Sequence, residues 1–320
     1  MIPPSWLRAP RSLLLTGLAD VWTALREGKP PGESARGGVT LMIASAALFA
    51  LMAAFVKKYL PDTPTQAVVF SRGVMMAAVF VTLARSSGAP IRGRRPGRLL
   101  LRGIFGYLAL SCYFFSVQHL PLGDAVLLQY SHPAFVAALA PLLLRERSGG
   151  AHWALVALAL AGIALIVRPT GDFRVAGLVG VAGSLLSALA YMTVRDLAKS
   201  EHPITILVWF PLATIVPSFV AAVAAGNASL PRNGTEVAGH LLVTASALLG
   251  QVALTLGLAR VAAAKATAVT LTGPVFGLAF GWLMFGTVPD AASIGGAALV
   301  TGAVGLLGRT APRGATDRRS

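Results

Sequence analysis

An all-α integral membrane protein is the fold class this sequence predicts, and three observations carry the prediction. Of its 320 residues 55% are hydrophobic and only 12% charged, and the mean hydropathy is +0.72, well outside the range of soluble domains. From Gly38 onward the apolar residues fall into blocks of roughly 17–25 residues, enough to cross ~30 Å of hydrocarbon at 1.5 Å per residue. The basic residues stand between those blocks rather than within them, as loops beside a membrane require.

Ten blocks are read in order, at 38–57, 65–84, 98–118, 123–144, 150–167, 175–194, 203–224, 238–259, 265–286 and 290–308. Between them lie turn signals such as Leu60-Pro61-Asp62, Gly88-Ala89-Pro90, Ser148-Gly149-Gly150 and Pro169-Thr170-Gly171. Residues 1–37 precede the first block as a cytoplasmic extension. There Leu7, Leu14, Leu18, Val21, Trp22 and Leu25 line one side of a possible interfacial helix, with Arg8, Arg11 and Arg26 beside them. Residues 309–320 form a basic cytoplasmic tail.

The formal charge of +15 raises nucleic acid as a partner, but the placement of the charges answers it. With a cytoplasmic N-terminus, 21 of the 27 Lys and Arg fall on that side, among them Arg92, Arg94, Arg95, Arg98 and Arg102. Five (Lys57, Lys58, Arg168, Arg174 and Arg232) fall on the other, and Arg72 lies inside a span. That asymmetry places both termini in the cytoplasm. Expected partners are the lipid bilayer and a small-molecule substrate, with no nucleic acid. Cys112 is the sole cysteine, so neither a disulfide framework nor a metal-ligand cluster is expected, and no cofactor motif is present.

An internal repeat organises the blocks. An offset of 141 residues lays Ala125 on Ala266, Pro133 on Pro274, Phe135 on Phe276 and Ala138 on Ala279. A repeat of five spans is odd, so its second copy enters the membrane upside down. Inverted repeats typify secondary transporters, whose sites lie near the midplane where the halves meet. The halves are 38–168 and 174–308.

The residues of the fourth and ninth blocks, Leu127–Arg147 and Val269–Asp290, each hold a central proline in an apolar run and precede a Gly-rich span. Together with Phe70-Ser71-Arg72 in the second span, this pattern resembles the EamA-type branch of the drug/metabolite transporter superfamily over residues 38–308. The resemblance implies ten spans in two inverted repeats and transport of small molecules. The sequence departs from the family's pattern at Thr287 and at Gly273, where acidic residues are frequent.

Candidate site residues are the polar groups at bilayer depth. Arg72 lies about eight residues into its span, where an Arg costs at least ~2.5 kcal/mol; it is read either as an anion-binding group or as a side chain that caps helix-end carbonyls or snorkels outward beside Lys57 and Lys58. Gln129 and His132 share a face beside Pro133 and are assigned to the translocation cavity, with Thr270 opposite in the second repeat. Tyr107, Ser111 and Phe114 in the third span, and Gln251 and Thr255 in the eighth, follow helical spacing toward a common cavity; the competing reading is packing between helices. His132 is also the one midplane group whose ordinary pKa of ~6.5 suits a proton carrier.

No HExxH, Walker loop or paired intramembrane aspartates are found, which argues against a membrane-embedded enzyme. The expected function is secondary transport of small metabolites or drug-like compounds across a bacterial inner membrane by alternating access, as an exporter. An importer or exchanger of one metabolite is the alternative.

Overall fold

The computed structural model describes residues 35–119, 128–144, 149–167, 175–226, 231, 233–286 and 288–309. The N-terminal extension before residue 35, Asp124, Glu146, Arg168, Arg174, Arg232, Thr287 and the tail from residue 310 lie outside the described residues.

The described chain is all helical. In order the helices are α1 Ala35–Tyr59, α2 Thr65–Ser87, α3 Pro96–His119, α4 His132–Leu143, α5 Gly150–Val167, α6 Val175–Leu197, α7 Pro203–Ala224, α8 Gly234–Arg260, α9 Ala263–Val269, α10 Gly273–Phe285 and α11 Ala291–Arg309. Six helical stretches are long and apolar enough to cross a membrane, Ala263–Phe285 among them, and α5 and α11 are apolar but contribute shorter stretches. Boundaries follow local chemistry. Gly88 and Gly286 end α2 and α10 in the left-handed conformation, Asn233 caps α8 by accepting from the Glu236 N–H at 2.8 Å, and Pro203 opens α7.

The fourth and ninth blocks are each interrupted. Ahead of α4 the helix breaks at Tyr130 and Ser131; ahead of α10 the chain tightens into a 3₁₀ turn at Thr270–Thr272. Helices α4 and α10 restart at His132 and Gly273, positions related by the 141-residue offset, each with proline in its first turn. Proline lacks an N–H and clashes with the preceding turn, so it fits a helix start better than a helix interior.

Packing crosses between the halves. Helix α1 lies along α8 and α3 along α6, while α2 packs on α7, α5 on α11, α4 on α6 and α9, and α10 on α1. Each of these pairs has its counterpart when the two halves are exchanged. The main core joins Met42, Leu99, Ile163, Val194, Ile206, Leu254, Leu271 and Val300. Large side chains point away from it on the outer surface: Leu142, Leu178, Val216 and Leu283 are 77%, 73%, 68% and 68% exposed. Such a girdle suits acyl chains rather than water.

At one end the loop between α2 and α3 is fastened to the start of α7. Glu201, buried, accepts from the Arg94 N–H at 2.9 Å and the Arg95 N–H at 2.6 Å, so its carboxylate sits at the N-terminus of α3, where the helix dipole favours an anion. Thr205 donates to the Pro90 carbonyl at 2.7 Å and the Trp209 indole to the Ile91 carbonyl at 2.8 Å. Asp196 pairs with Arg95 and Arg98.

His202 caps α7 through Nδ1, which accepts the Ile204 N–H at 3.3 Å. This requires an unprotonated Nδ1, and partial burial lowers the ring's pKa. The unfolded chain therefore takes up the proton first, so the cap's stabilisation is present above pH ~6.5 and is lost as pH falls through the lower folded value. His202→Asn keeps an acceptor without the titration. Thermal midpoints measured from pH 7.5 to pH 5 are expected to fall more in the wild type than in this variant.

Candidate functional site

The two helix breaks meet. His132 at the start of α4 has its Nδ1 2.8 Å from the Gln129 carbonyl, so Nδ1 donates; Nε2 then accepts from the Thr270 hydroxyl at 3.2 Å, on the other break. That hydroxyl also lies 2.6 Å from the Thr267 carbonyl and can donate to one of the two at a time. The Tyr130 ring packs directly against Gly273, where the Cβ of any larger residue would overlap its hydroxyl. Gly273, the departure from the family pattern noted in the sequence, thus clears space for Tyr130 at the crossing.

Second-half residues complete the first break. Ser131 Oγ is 2.8 Å from Ser184 Oγ, and Gln129 Nε2 donates to Ser187 Oγ at 3.0 Å. These contacts satisfy side chains beside an interrupted helix, as low-dielectric surroundings demand. The Gln129 Oε1 atom is buried without a partner, an acceptor held free of water beside the break. Tyr191, one turn beyond Ser187 on α6, meets the His132 ring edge-on at 5.1 Å between centroids.

Arg72 is buried, which removes the snorkelling reading. Its guanidinium lies 5.9 Å from the centre of the Phe210 ring on α7, and Nη1 reaches the Met52 sulfur at 3.6 Å, a weak acceptor. Arg102 corrects the sequence reading. Counted there among cytoplasmic charges, it is 3% exposed, because α3 begins at Pro96 and carries it nearly two turns inward. Its guanidinium lies 4.2 Å from the same Phe210 ring, in electrostatic range of Arg72 and Tyr191. Gly106, one turn on, makes the room: a Cβ there would stand 2.5 Å from Arg102 Nη1 and 2.7 Å from Phe210.

The remaining sequence candidates are spread more widely. Ser111 faces Gln66, whose Nε2 is 3.5 Å away, and Tyr107 is half-buried on the same helix. The Phe114 side chain lies outside the described residues. Gln251 and Thr255 are buried on the α8 stripe of Leu254 and Leu258, which joins the core against which Tyr130, Tyr191 and Trp209 pack. Sequence reading passed over Arg102, Phe210, Ser184, Ser187 and Tyr191. The available signals were Gly103 and Gly106 beside Arg102 and the i, i+3, i+7 spacing of Ser184, Ser187 and Tyr191.

Comparison with known proteins gives the family. The sequence model of the EamA-like transporter family matches twice, over residues 36–168 and 175–309. The chain is 31% identical over 278 residues to the pseudopaline exporter CntI of Pseudomonas aeruginosa, covering 86% of this chain and 97% of the relative. It is 30% identical over 222 residues to a riboflavin transporter of Rhizobium johnstonii, covering 69% and 73% respectively, and 24% identical over 279 residues to human solute carrier family 35 member G1, covering 82% and 76%. A crystal structure superposes with a TM-score of 0.74 over 84% of this chain and 95% of that one at 18% identity, a likeness of fold. Two breaks meeting at a polar crossing, a family match in each half and relatives named as transporters lead to one conclusion: the chain belongs to the EamA-like transporter family and is a multi-pass membrane transporter of small molecules, not an enzyme.

Proposed function

We propose that this transporter is a ten-span exporter of small polar metabolites in which two inverted five-helix halves rock about the crossing of the fourth and ninth spans. The observation that carries this reading is the meeting of the two breaks, His132 with Thr270 and Tyr130 with Gly273. Discontinuous helices near a midplane are where transporters of this architecture hold their cargo. The exchange of neighbours between halves and the restart of α4 and α10 at equivalent positions support the inverted repeat. The relative named as an exporter supports outward transport across a bacterial inner membrane, and the uneven placement of Lys and Arg supports cytoplasmic termini.

The binding surface joins Gln129, His132 and Thr270 at the crossing to Arg72 and Arg102 above Phe210, with Ser111, Tyr107, Gln251 and Thr255 on the walls. His132 Nδ1 donates to the Gln129 carbonyl and Nε2 faces the Thr270 hydroxyl, so the ring's role is to hold the two breaks in register, with no proton carriage required. His132→Ala is expected to reduce transport while leaving its dependence on a proton gradient unchanged.

Untargeted mass spectrometry of medium from cells overproducing the chain tests direction. Enrichment of at least one small metabolite, absent for Gly273→Ala, is expected. Depletion of a medium component instead would identify an importer.

A further inference from the structure

We propose that Arg72 and Arg102 together bind a carboxylate group of the transported solute, with Phe210, the ring both guanidiniums approach, as its apolar wall. The inference rests on the transport reading and names the chemistry of the cargo. Both guanidinium groups are buried, at 7% and 3% exposure, and among the described residues neither has a carboxylate in ion-pair range. Two like charges so placed also repel each other. Nε and Nη1 of Arg102 are buried with no hydrogen-bond partner, and Arg72 Nη1 has only the Met52 sulfur. Stacking on the shared Phe210 ring offsets part of this cost but satisfies no N–H.

A folding role does not explain the pair. Buried charges persist when paired or hydrogen-bonded, and an unpaired one opposes folding. No described carboxylate supplies the counter-charge, and that role falls to the solute. A planar carboxylate supplies one oxygen to each fork of donors and lets its apolar body lie on Phe210. A tetrahedral phosphate would expose oxygens to that ring with nothing to replace their water. Gly106 lets Arg102 and Phe210 lie directly against its helix, since a Cβ there would stand 2.5 Å from Arg102 Nη1.

Thermal unfolding of the full chain in phosphatidylcholine nanodiscs tests this at constant ionic strength, with benzoate and succinate set against benzamide and succinamide. The carboxylates are expected to raise the midpoint and the amides to leave it unchanged. Apparent affinity for the carboxylates should fall at least about ten-fold in Arg102→Gln and in Arg72→Gln, the loss expected for one charge-assisted hydrogen bond, and less in Arg102→Lys. Without ligand, both Gln variants should unfold at or above the wild-type temperature, because an uncompensated charge has gone. Equal response to the amides, replacement of both carboxylates by inorganic phosphate, undiminished binding in the variants, or a lowered ligand-free midpoint in both would each overturn the proposal. Reconstituted vesicles separate the two readings. Movement of neutral solutes alone refutes the carboxylate site and keeps transport, whereas carboxylate binding with no movement of any solute refutes transport and keeps the site.

Discussion

Replacing Gly273 with alanine is expected to abolish transport and destabilise the protein by about 1–3 kcal/mol, the usual range for forcing extra volume into a packed core. The new Cβ would occupy the position of the Tyr130 hydroxyl and ring edge, and neither neighbour can yield freely. Tyr130 is held by the break before α4, and Gly273 is the first residue of α10. The strain has a specific partner, which makes the prediction sharp. In the double variant Gly273→Ala with Tyr130→Ala the ring is gone, so the alanine is expected to cost little beyond the Tyr130 change alone. Thermal unfolding of the four proteins in this cycle gives the coupling directly. Additive losses would show that Gly273 serves backbone conformation rather than the close approach.

Glu201→Ala has the second large effect, at the loop latch rather than the crossing. Its carboxylate accepts N–H bonds from Arg94 and Arg95 and is 6% exposed. Deleting it strands those donors at the N-terminus of α3 and removes the anion that the helix dipole favours. A cost of about 2–4 kcal/mol is expected, because unmade hydrogen bonds to a buried charged group carry a desolvation penalty. Glu201→Gln keeps one carbonyl oxygen and should lose roughly half as much. Thr205, Trp209 and Asp196 tie the same loop to α6 and α7, so the loop is expected to loosen rather than detach. Amide hydrogen exchange at residues 90–96 should rise in Glu201→Ala while the core of α8 stays protected. Unchanged exchange in that loop would remove the latch from the description.

Both sites show what a sequence reveals and what it withholds. Span positions were legible because burial in lipid writes itself as apolar length: the blocks read at 150–167 and 203–224 coincide with α5 and α7. The breaks lie beside Pro133 and Pro274, but Pro211 and Pro217 lie inside an unbroken α7, so a proline alone did not locate a break. Arg102 was misassigned because Arg92, Arg94, Arg95 and Arg98 precede it, and a run of charge carries no mark of where the helix begins to turn inward. Phe210 and Tyr191 were invisible as site residues for a related reason. An aromatic in an apolar span has the same local pattern whether it meets a leucine or a guanidinium, and only long-range packing decides between them.

One measurement bears most directly on the crossing as the transport site. Cys112 is the only cysteine, so Cys112→Ser gives a thiol-free background into which Ser131→Cys can be placed. Ser131 sits at the break of the fourth span, against Ser184 of the other half. A membrane-impermeant maleimide is then applied to right-side-out and to inside-out vesicles. The predicted result is labelling from both faces, with an added substrate protecting the thiol on both. Labelling confined to one face, unchanged by any solute, would contradict alternating access at this site.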